Sequence, residues 1–165
     1  MKLLGSELDA VQRYKLLTGI IVPRPIAWVS TVNRNGGVNL APFSNFTFLG
    51  TRALRVGIGM VRKPNGDMKD TEANIRRTKN FVINIGGVRH LDSLHQSSID
   101  YPNDVSEVDL LGLSTIDSDT ISSPRLFNTD VSLECELADI INFGEEDYHL
   151  VVGKVNMFHV ADHLI

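Results

Sequence analysis

The chain has 165 residues, with 16 Lys and Arg against 20 Asp and Glu, and a formal net charge of -4. This length is typical of one domain. A composition of 42% hydrophobic and 22% charged residues is that of a globular protein and not of a disordered one. The mild acidity argues against nucleic acid as the main partner, because phosphate backbones are bound by basic surfaces. A single cysteine, Cys135, excludes a disulfide framework.

The N-terminal segment is predicted to form a short helix. Ser6 and Asp9 have the spacing of a capping box, and Gly19 can end the helix. No segment of the chain contains an apolar run of the ~20 residues that a membrane span requires, and the first residues lack a signal-peptide pattern. We therefore expect a cytoplasmic protein that does not bind a membrane. The apolar face of the helix is expected to consist of Ala10, Val11, Tyr14 and Leu17.

Most of the remaining chain shows strand patterns separated by turns. Residues 26–32 and 38–48 read as two strands joined by a hairpin at Asn35-Gly36. A third strand is expected at 54–60, where Gly57 and Gly59 either weaken it or mark a close approach of another backbone. Further strands are predicted at 81–85, 131–138 and 150–160, helices at 70–77, 88–97 and 106–110, loops at 62–69 and 98–105, and a turn at 142–147. Because hairpin signals dominate, this order favours an antiparallel barrel with a few short helices.

Two groups of polar residues are candidates for binding. Lys69, Asp70 and Thr71 precede a predicted helix, whose first N–H groups and dipole attract an anion. The same pattern also fits an ordinary helix cap beside a solvated lysine. Across the hairpin, Ser30 and Thr31 could share a groove with residues 39–45, although ordinary polar alternation on a strand is by itself the better interpretation. Pro42 cannot donate to a sheet, so it predicts an edge strand or a bulge.

A metal site is not expected. His159 and His163 are four residues apart, but a strand over 155–160 does not bring such a pair to one metal. The spacing of His90 and His95 suggests none either. Cys135 lies in a strand without a neighbouring base, so a structural thiol is the better interpretation. Asp117, Asp119 and Asp130 are interpreted as solvated loop residues.

Several short motifs occur in an order typical of one family. They are PRPIAWVST at 23–31, NLAPFSNF at 39–46, KDT at 69–71 with NI at 74–75, FVINI at 81–85, SE at 106–107 before GL at 112–113, and LECEL at 133–137. Together they resemble the flavin reductase-like family, the FMN-binding split barrels that include flavoredoxin-like proteins. The resemblance runs in register from about residue 14 to residue 155.

The resemblance implies a mainly β protein, an antiparallel split β-barrel of Greek-key type with a few short peripheral helices. It implies one FMN-binding domain over residues 1–165, and a homodimer with FMN near the subunit interface. Ser30 and Thr31 are implied to contact the flavin or its ribityl chain, residues 41–45 the ring and phosphate, and residues 69–71 the phosphate. The full set of implied cofactor contacts is Trp28, Ser30, Thr31, Ala41, Pro42, Phe43, Ser44, Asn45, Lys69, Asp70 and Thr71.

Two features depart from the family pattern. Arg52-Ala53 stands where the family usually carries a proline pair, which is a local loop change. The sequence stops at Ile165, where similar proteins continue, so we expect a domain without the usual C-terminal segment.

The resemblance implies an oxidoreductase that passes hydride from NADH or NADPH to FMN and electrons onward to an acceptor protein or to free flavin. No catalytic acid or base is required, because the cofactor carries the hydride chemistry. Two alternatives remain open: an electron carrier without enzymatic activity, reduced by a partner protein, and an oxidase of the pyridoxamine-phosphate type. A homodimer is also favoured by aromatic residues that one short barrel does not easily hide, namely Trp28, Phe43, Phe46 and Phe48.

Overall fold

A computed structural model of the chain describes residues 1–63, 65–103, 105–143 and 148–165. Its strands are β1 (Ala27–Val32), β2 (Val38–Phe43), β3 (Phe46–Gly50), β4 (Arg55–Val61), β5 (Asn80–Ile85), β6 (Thr115–Ile116), β7 (Arg125–Leu126), β8 (Val131–Asn142) and β9 (Tyr148–Val160). Its α-helices are α1 (Ala10–Ile20), α2 (Asp70–Thr78), α3 (Leu91–Gln96) and α4 (Glu107–Leu110), and single 3-10 turns lie at Gly5–Glu7, Val88–His90 and Asp162–Leu164.

Seven strands form one antiparallel sheet in the order β2-β1-β5-β8-β9-β4-β3, and β6 pairs with β7 separately. The two edge strands, β2 and β3, are consecutive in the sequence and only Ser44 and Asn45 separate them. The sheet must therefore curl until its two edges meet at this junction. There the N–H of Gly59 in β4 donates to the carbonyl of Asn45 (2.7 Å). The predicted antiparallel barrel with a few short helices is confirmed.

Strand β1 is buried on both faces because it separates two apolar clusters. Ala27 and Val29 point into the barrel, where Ile58, Phe81 and Val151 are also buried. Trp28 points outward into a second cluster that α4 and β7 cover, together with Leu40, Val108 and Leu126. Consecutive burial of this kind removes the alternation that normally tells one face of a strand from the other.

Several local predictions are confirmed. Asn35-Gly36 forms the hairpin turn between β1 and β2, and Gly36 adopts a φ of +89° that suits glycine. Pro42 lies in an edge strand, as its missing N–H requires. Helix α2 begins at Asp70 after Lys69, and α4 follows Ser106, whose hydroxyl accepts a hydrogen bond from the N–H of Asp109.

Other local predictions are wrong. The capping box at α1 joins Asp9 to Gln12 and does not involve Ser6, and the helix continues through Gly19 to Ile20. The single strand expected over 38–48 is broken at Ser44-Asn45, because the chain crosses there from one sheet edge to the other. The helix expected over 88–97 is a 3-10 turn followed by the short α3. Strand β8 runs four residues further than expected, to Asn142, and β6 and β7 were not expected.

Some expected turns and loops fall partly outside the described residues. These are Pro64 in the loop at 62–69, Asp104 in the loop at 98–105, and residues 144–147 of the expected turn. Among the helices of the described ranges, none is both long and apolar enough to cross a membrane.

Helix α2 is fixed to the barrel by both apolar and polar contacts, among them those of Ile75 and Glu72. Ile75 is fully buried in the barrel core. Glu72 is 2% exposed, and its Oε1 accepts hydrogen bonds from Arg76 and lies 2.8 Å from Nδ1 of His149 in β9. The start of this helix is therefore held in a defined place relative to the sheet.

Glu134 in β8 ties the segment at 119–120 to the sheet. Its fully buried carboxylate accepts hydrogen bonds from the N–H groups of Asp119 and Thr120 (both 2.8 Å), from Oγ1 of Thr120 (2.6 Å) and from Nε2 of His159 (2.6 Å). Burial alone would raise the pKa of this carboxyl, but the hydrogen bonds from Thr120, Asp119 and His159 outweigh burial and lower the pKa to about 2. Asp119, expected to be only solvated, thus contributes its backbone to a buried contact.

We expect the Glu134→Gln substitution to reduce the dependence of stability on pH. The native carboxyl stays ionised down to about pH 2, whereas the unfolded one takes up a proton near pH 4.5. Its contribution is therefore complete above pH ~5 and is lost as the pH falls from there toward 2. The contribution is at most about 3.5 kcal/mol, because the two pKa values of 4.5 and about 2 differ by about 2.5 units at about 1.4 kcal/mol each.

Urea unfolding of the parent and the variant at pH 6, 5, 4 and 3 measures this effect. The difference in unfolding free energy between the two proteins should shrink steadily over that range. Glu136→Gln, which alters an exposed side chain of the same strand, is the control and should follow the parent. A difference that stays constant with pH would contradict the prediction.

Candidate cofactor site

A cleft of about 710 Å³ lies where the two edges of the sheet meet. The β2–β3 junction and β4 line one side of it, α1 and the residues after it line another, and the start of α2 lies at one end. Residues 97–101 and Glu107 also line it. The cleft has the size of a small-molecule or cofactor site, which is usually a concavity of roughly 300–1,000 Å³.

Most of the residues implied by the sequence as cofactor contacts meet at this cleft, although they come from separate elements. The junction residues are followed in sequence by β3 and β4 before the chain returns at the start of α2. Those that line the cleft are Ala41, Pro42, Phe43, Ser44, Asn45, Lys69, Asp70 and Thr71.

The structure does not bring Trp28, Ser30 and Thr31 to the wall of the cleft. All three are fully buried in β1. Trp28 donates from Nε1 to Oγ of Ser97 (2.8 Å), and Ser30 donates from Oγ to the carbonyl of Pro124 (2.6 Å). Thr31 lies one residue behind the cleft, because it accepts a hydrogen bond from Asn39 (3.3 Å), which does line it. Their roles as cofactor contacts stay predictions.

The apolar side of the cleft is formed partly by α1. No residue of this helix is buried, and Tyr14, Leu17 and Ile21 face the cleft. Tyr14 and Leu17 belong to the apolar face expected from the sequence, but that face lines a cavity instead of packing into the core. Ala41, Pro42 and Phe43 supply apolar surface from the sheet.

Gly59 in β4 allows an aromatic side chain of the cleft to lie directly against the strand. A Cβ atom at this position would lie 1.7 Å from the hydroxyl of Tyr148 and 3.0 Å from Cβ of Asn45. Only glycine therefore leaves room for the Tyr148 ring over the strand without displacing it. The sequence suggested the close approach of another backbone at the β4 glycines, whereas the atoms nearest a Cβ at Gly59 belong to side chains. Tyr148 was missed by sequence reasoning.

The polar end of the cleft is the N-terminus of α2. The first N–H groups of a helix have no partner within the helix, and Lys69, at the cap position, makes no side-chain capping bond. Thr71 is only 1% exposed as a residue, yet it lines the cleft. Backbone N–H groups, an ammonium group and a hydroxyl at a helix N-terminus can hold an anion such as a phosphate.

Lys63 is a second cation at this end of the cleft, but its ammonium group is already paired with acceptors of the protein. Its Nζ lies 3.0 Å from Oδ2 of Asp70, 3.0 Å from Oδ1 of Asn103 and 3.7 Å from Oδ1 of Asp100. Burial lowers the pKa of this ammonium, but the hydrogen bond and the charge of Asp70 outweigh it and raise the pKa overall. Lys63 thus joins three segments around the cleft. Lys69 has fewer interactions within the protein and is the cation better able to bind an anion.

Two further charged residues line the cleft. Arg24 donates from Nη1 to Oγ of Ser44 (2.7 Å), which fixes the junction side chain. Glu107 is 7% exposed and accepts from the N–H of Leu40 (2.9 Å) through Oε2. Burial raises the pKa of the Glu107 carboxyl. Both residues lie within motifs that carry the family resemblance, so the motifs could have indicated them, but no spacing rule singles them out.

Among the described residues, Asp119, Glu134 and His159 bring potential metal ligands within 4.8 Å of one another. Both oxygens of the Glu134 carboxylate already accept hydrogen bonds from protein donors, so this cluster is explained as a buried structural contact. Cys135 is fully buried, and burial raises the pKa of its thiol, in keeping with a structural role.

The residues of the cleft fit a phosphorylated aromatic cofactor such as FMN. Donor groups gather at one end, at the start of α2, while apolar and aromatic side chains flank the rest. A planar ring with a phosphate on a flexible chain requires both kinds of surface. The fold and this site together define the class of the protein as a split β-barrel with a cofactor-sized cleft between its two edge strands.

Comparison with known proteins agrees with this class. The family model described as a flavin reductase-like domain matches residues 19–165, and the chain belongs to that family. A relative from Halalkalibacterium halodurans, BH2278, is 36% identical over 168 residues, covering 99% of this chain and 80% of the relative.

Similar solved structures include two at 31% identity that cover all of this chain. One is nitrilotriacetate monooxygenase component B from Bacillus cereus, with a TM-score of 0.93 and 83% of that chain covered. Another is the 2-nitrobenzoate 2-nitroreductase NbaA of Pseudomonas fluorescens, with a TM-score of 0.90 and 79% covered. A protein with a split barrel domain from Shewanella frigidimarina has a TM-score of 0.85 at 21% identity, with 98% of this chain and 81% of that chain covered, and it supports the fold alone.

Proposed function

We propose that the protein is an FMN-dependent oxidoreductase that takes hydride from NADH or NADPH and delivers electrons to free flavin or to an acceptor protein. The observation that carries this proposal is the cleft at the β2–β3 junction, with its donor-rich end at Lys69 and Thr71. Membership of the flavin reductase-like family supports an oxidoreductase. A cytoplasmic location is part of the proposal, because reduced nicotinamide donors are held there.

In this proposal the phosphate of FMN lies at the start of α2. Lys69 supplies charge, Thr71 a hydroxyl, and the first turn of the helix its N–H groups. The ring lies toward Ala41–Phe43 and Tyr148, where the surface is apolar or aromatic. Ser44 is held by Arg24 (2.7 Å) and so presents a fixed polar group beside the ring.

When bound, FMN supplies the chemistry of accepting hydride and passing on electrons, which the protein need not duplicate. The chain's own residues bind, orient and shield. Tyr14, Leu17 and Ile21 of the α1 segment cover one side of the cleft and reduce access of water. Glu107 keeps its carboxyl on the N–H of Leu40 (2.9 Å), away from a role as a mobile base.

Absorbance spectra of the purified protein test the proposal directly. Protein incubated with FMN and freed of excess ligand should show the oxidised flavin bands, and anaerobic NADH or NADPH should bleach them within seconds. Absence of saturable FMN binding would refute the proposed cofactor. Binding without bleaching by either nucleotide would instead favour an electron carrier reduced by a partner protein, and amine-dependent oxygen consumption would favour the pyridoxamine-phosphate oxidase alternative.

We expect Lys69→Ala to weaken FMN binding by one to two orders of magnitude and to leave riboflavin binding nearly unchanged. A charge-assisted hydrogen bond contributes roughly 1.5–3 kcal/mol, and riboflavin has no phosphate to receive it. Salt should weaken FMN binding more in the parent than in the variant, because salt screens the attraction between the Lys69 ammonium and the phosphate, which the variant lacks.

Fluorescence titrations of both ligands measure this effect. Lys154→Ala, which removes an exposed lysine of β9 that does not line the cleft, is the matched control and should bind both ligands as the parent does. Equal losses for FMN and riboflavin, or no loss for FMN, would remove Lys69 from the phosphate site.

We further propose a homodimer, with apolar surface of α1 and β3 in the interface. Phe48 is 73% exposed and Ile20 is 72% exposed, and a partner that covers such large apolar side chains would remove them from water. Not all of the aromatic residues that motivated this expectation are exposed to a partner. Trp28 is fully buried, and Phe43 and Phe46 pack in part against the barrel core.

Light scattering of the FMN-loaded protein at micromolar concentration should give the mass of a dimer. The substitutions Phe48→Lys and Ile20→Lys should each shift the mass toward the monomer, because they place a charge in a dehydrated contact. Val88→Lys replaces an apolar residue that is 91% exposed on a separate 3-10 turn, so it should remain dimeric. A monomeric parent would contradict the proposal.

A further inference from the structure

A chain of buried hydroxyl and amide groups leads from the far end of α2 to the cleft. Its buried members are Thr31, Asn39, Thr71 and Asn74, none of which is more than 6% exposed. Their hydrogen bonds connect β1, β2 and α2. A polar chain of this length in a protein interior is costly unless its donors and acceptors are matched throughout.

The orientation of the Asn74 amide is set by Arg77 in the last turn of α2. A guanidinium group has donors only, and its Nη2 lies 3.3 Å from Oδ1 of Asn74. The amide group of Asn74 must therefore turn its oxygen to Arg77 and its nitrogen the other way. That nitrogen donates to Oδ1 of Asn33 (2.8 Å) and to Oγ1 of Thr31 (3.1 Å).

Asn39 on the edge strand β2 donates to the Thr31 hydroxyl from the other side, so that Thr31 accepts hydrogen bonds from both amides. Its Nδ2 lies 3.3 Å from Oγ1 of Thr31 and 3.0 Å from Oγ1 of Thr71. An amide nitrogen has two protons, and both are used by these two hydroxyl groups. The Thr71 oxygen is thus an acceptor toward Asn39, which leaves its own proton free to donate elsewhere. Thr71 and Asn39 both line the cleft.

We propose that Asn39 is a positioning residue that makes the Thr71 hydroxyl a hydrogen-bond donor to the phosphate of FMN. This inference rests on the proposed function. A phosphate dianion has acceptor oxygens and no proton, so a hydroxyl serves it only by donating. By occupying the acceptor side of Thr71, Asn39 selects the orientation that suits a phosphorylated flavin and gives riboflavin no advantage.

A double-mutant cycle on Asn39 and Thr71 tests the inference, with Kd values for FMN and for riboflavin measured on each protein. Thr71→Val removes the hydroxyl at similar volume and should weaken FMN binding roughly five- to tenfold. Thr71→Ser keeps a hydroxyl and should retain most of the parent's affinity for FMN. Asn39→Ala should weaken FMN roughly three- to tenfold. In the double variant with Thr71→Val, the FMN affinity should fall less than about twofold below that of Thr71→Val alone, because no hydroxyl remains to orient. Riboflavin should change less than about twofold throughout.

Thermal unfolding of every variant establishes that it is folded at the assay temperature. Asn80→Ala removes a hydrogen-bonded amide of β5 that lies away from the cleft and should leave both affinities unchanged. If Asn39→Ala does not fold, Asn39→Ser takes its place, since its hydroxyl is too short to reach Thr71, and the same results are expected.

Three results would overturn the inference. Equal losses of FMN and riboflavin in Asn39→Ala would assign Asn39 to the ring or to the fold. An unchanged FMN affinity would remove it from the site, and an undiminished loss in the Thr71→Val background would show that it does not act through Thr71. Failure of the parent to bind either flavin is a different result, because it refutes the proposed function and the inference with it.

Discussion

The structure depends on the closure of one sheet by two strands that are neighbours in sequence. An edge strand exposes unpaired N–H and carbonyl groups, and here both edges belong to β2 and β3, which only Ser44 and Asn45 separate. The chain can satisfy this connection only by curling the sheet until the edges meet. The meeting is incomplete, because β2 pairs with β1 and β3 pairs with β4, and within the described residues no strand ladder joins the two edges. The cleft occupies that gap, so the binding surface is a direct result of how the barrel closes.

Closure also determines which residues surround the cleft. Gly59 of β4 approaches the junction closely, and its missing side chain admits the Tyr148 ring. The start of α2 is held at the other end by Ile75 and Glu72. Segments far apart in sequence therefore place an apolar surface and a group of donors around one cleft.

Much of this arrangement could be predicted from the sequence, and the reasons for the failures are specific. Asn35-Gly36 and the start of α2 were predictable because turns and helix starts depend on a few adjacent residues. The faces of β1 were not, because Trp28 and Val29 are both buried and the usual alternation is lost. The break at Ser44-Asn45 was missed because it arises from pairing with distant strands and not from local preference. Tyr148 and Lys63 reach the cleft only through tertiary contacts, so no local spacing could have indicated them.

Helix α1 has a consequence for the dynamics of the protein. It is 11 residues long and buries none of them, and isolated helices shorter than about 12–15 residues are marginal in water. Its persistence is therefore governed by the molecules that fill the cleft or cover its outer face, and not by the barrel core. The amide protons of α1 should exchange with solvent far faster than those of β5 in the free chain, and slow down when the cleft is filled. We therefore expect local order in this helix to depend on what covers it, since none of its residues belongs to the barrel core.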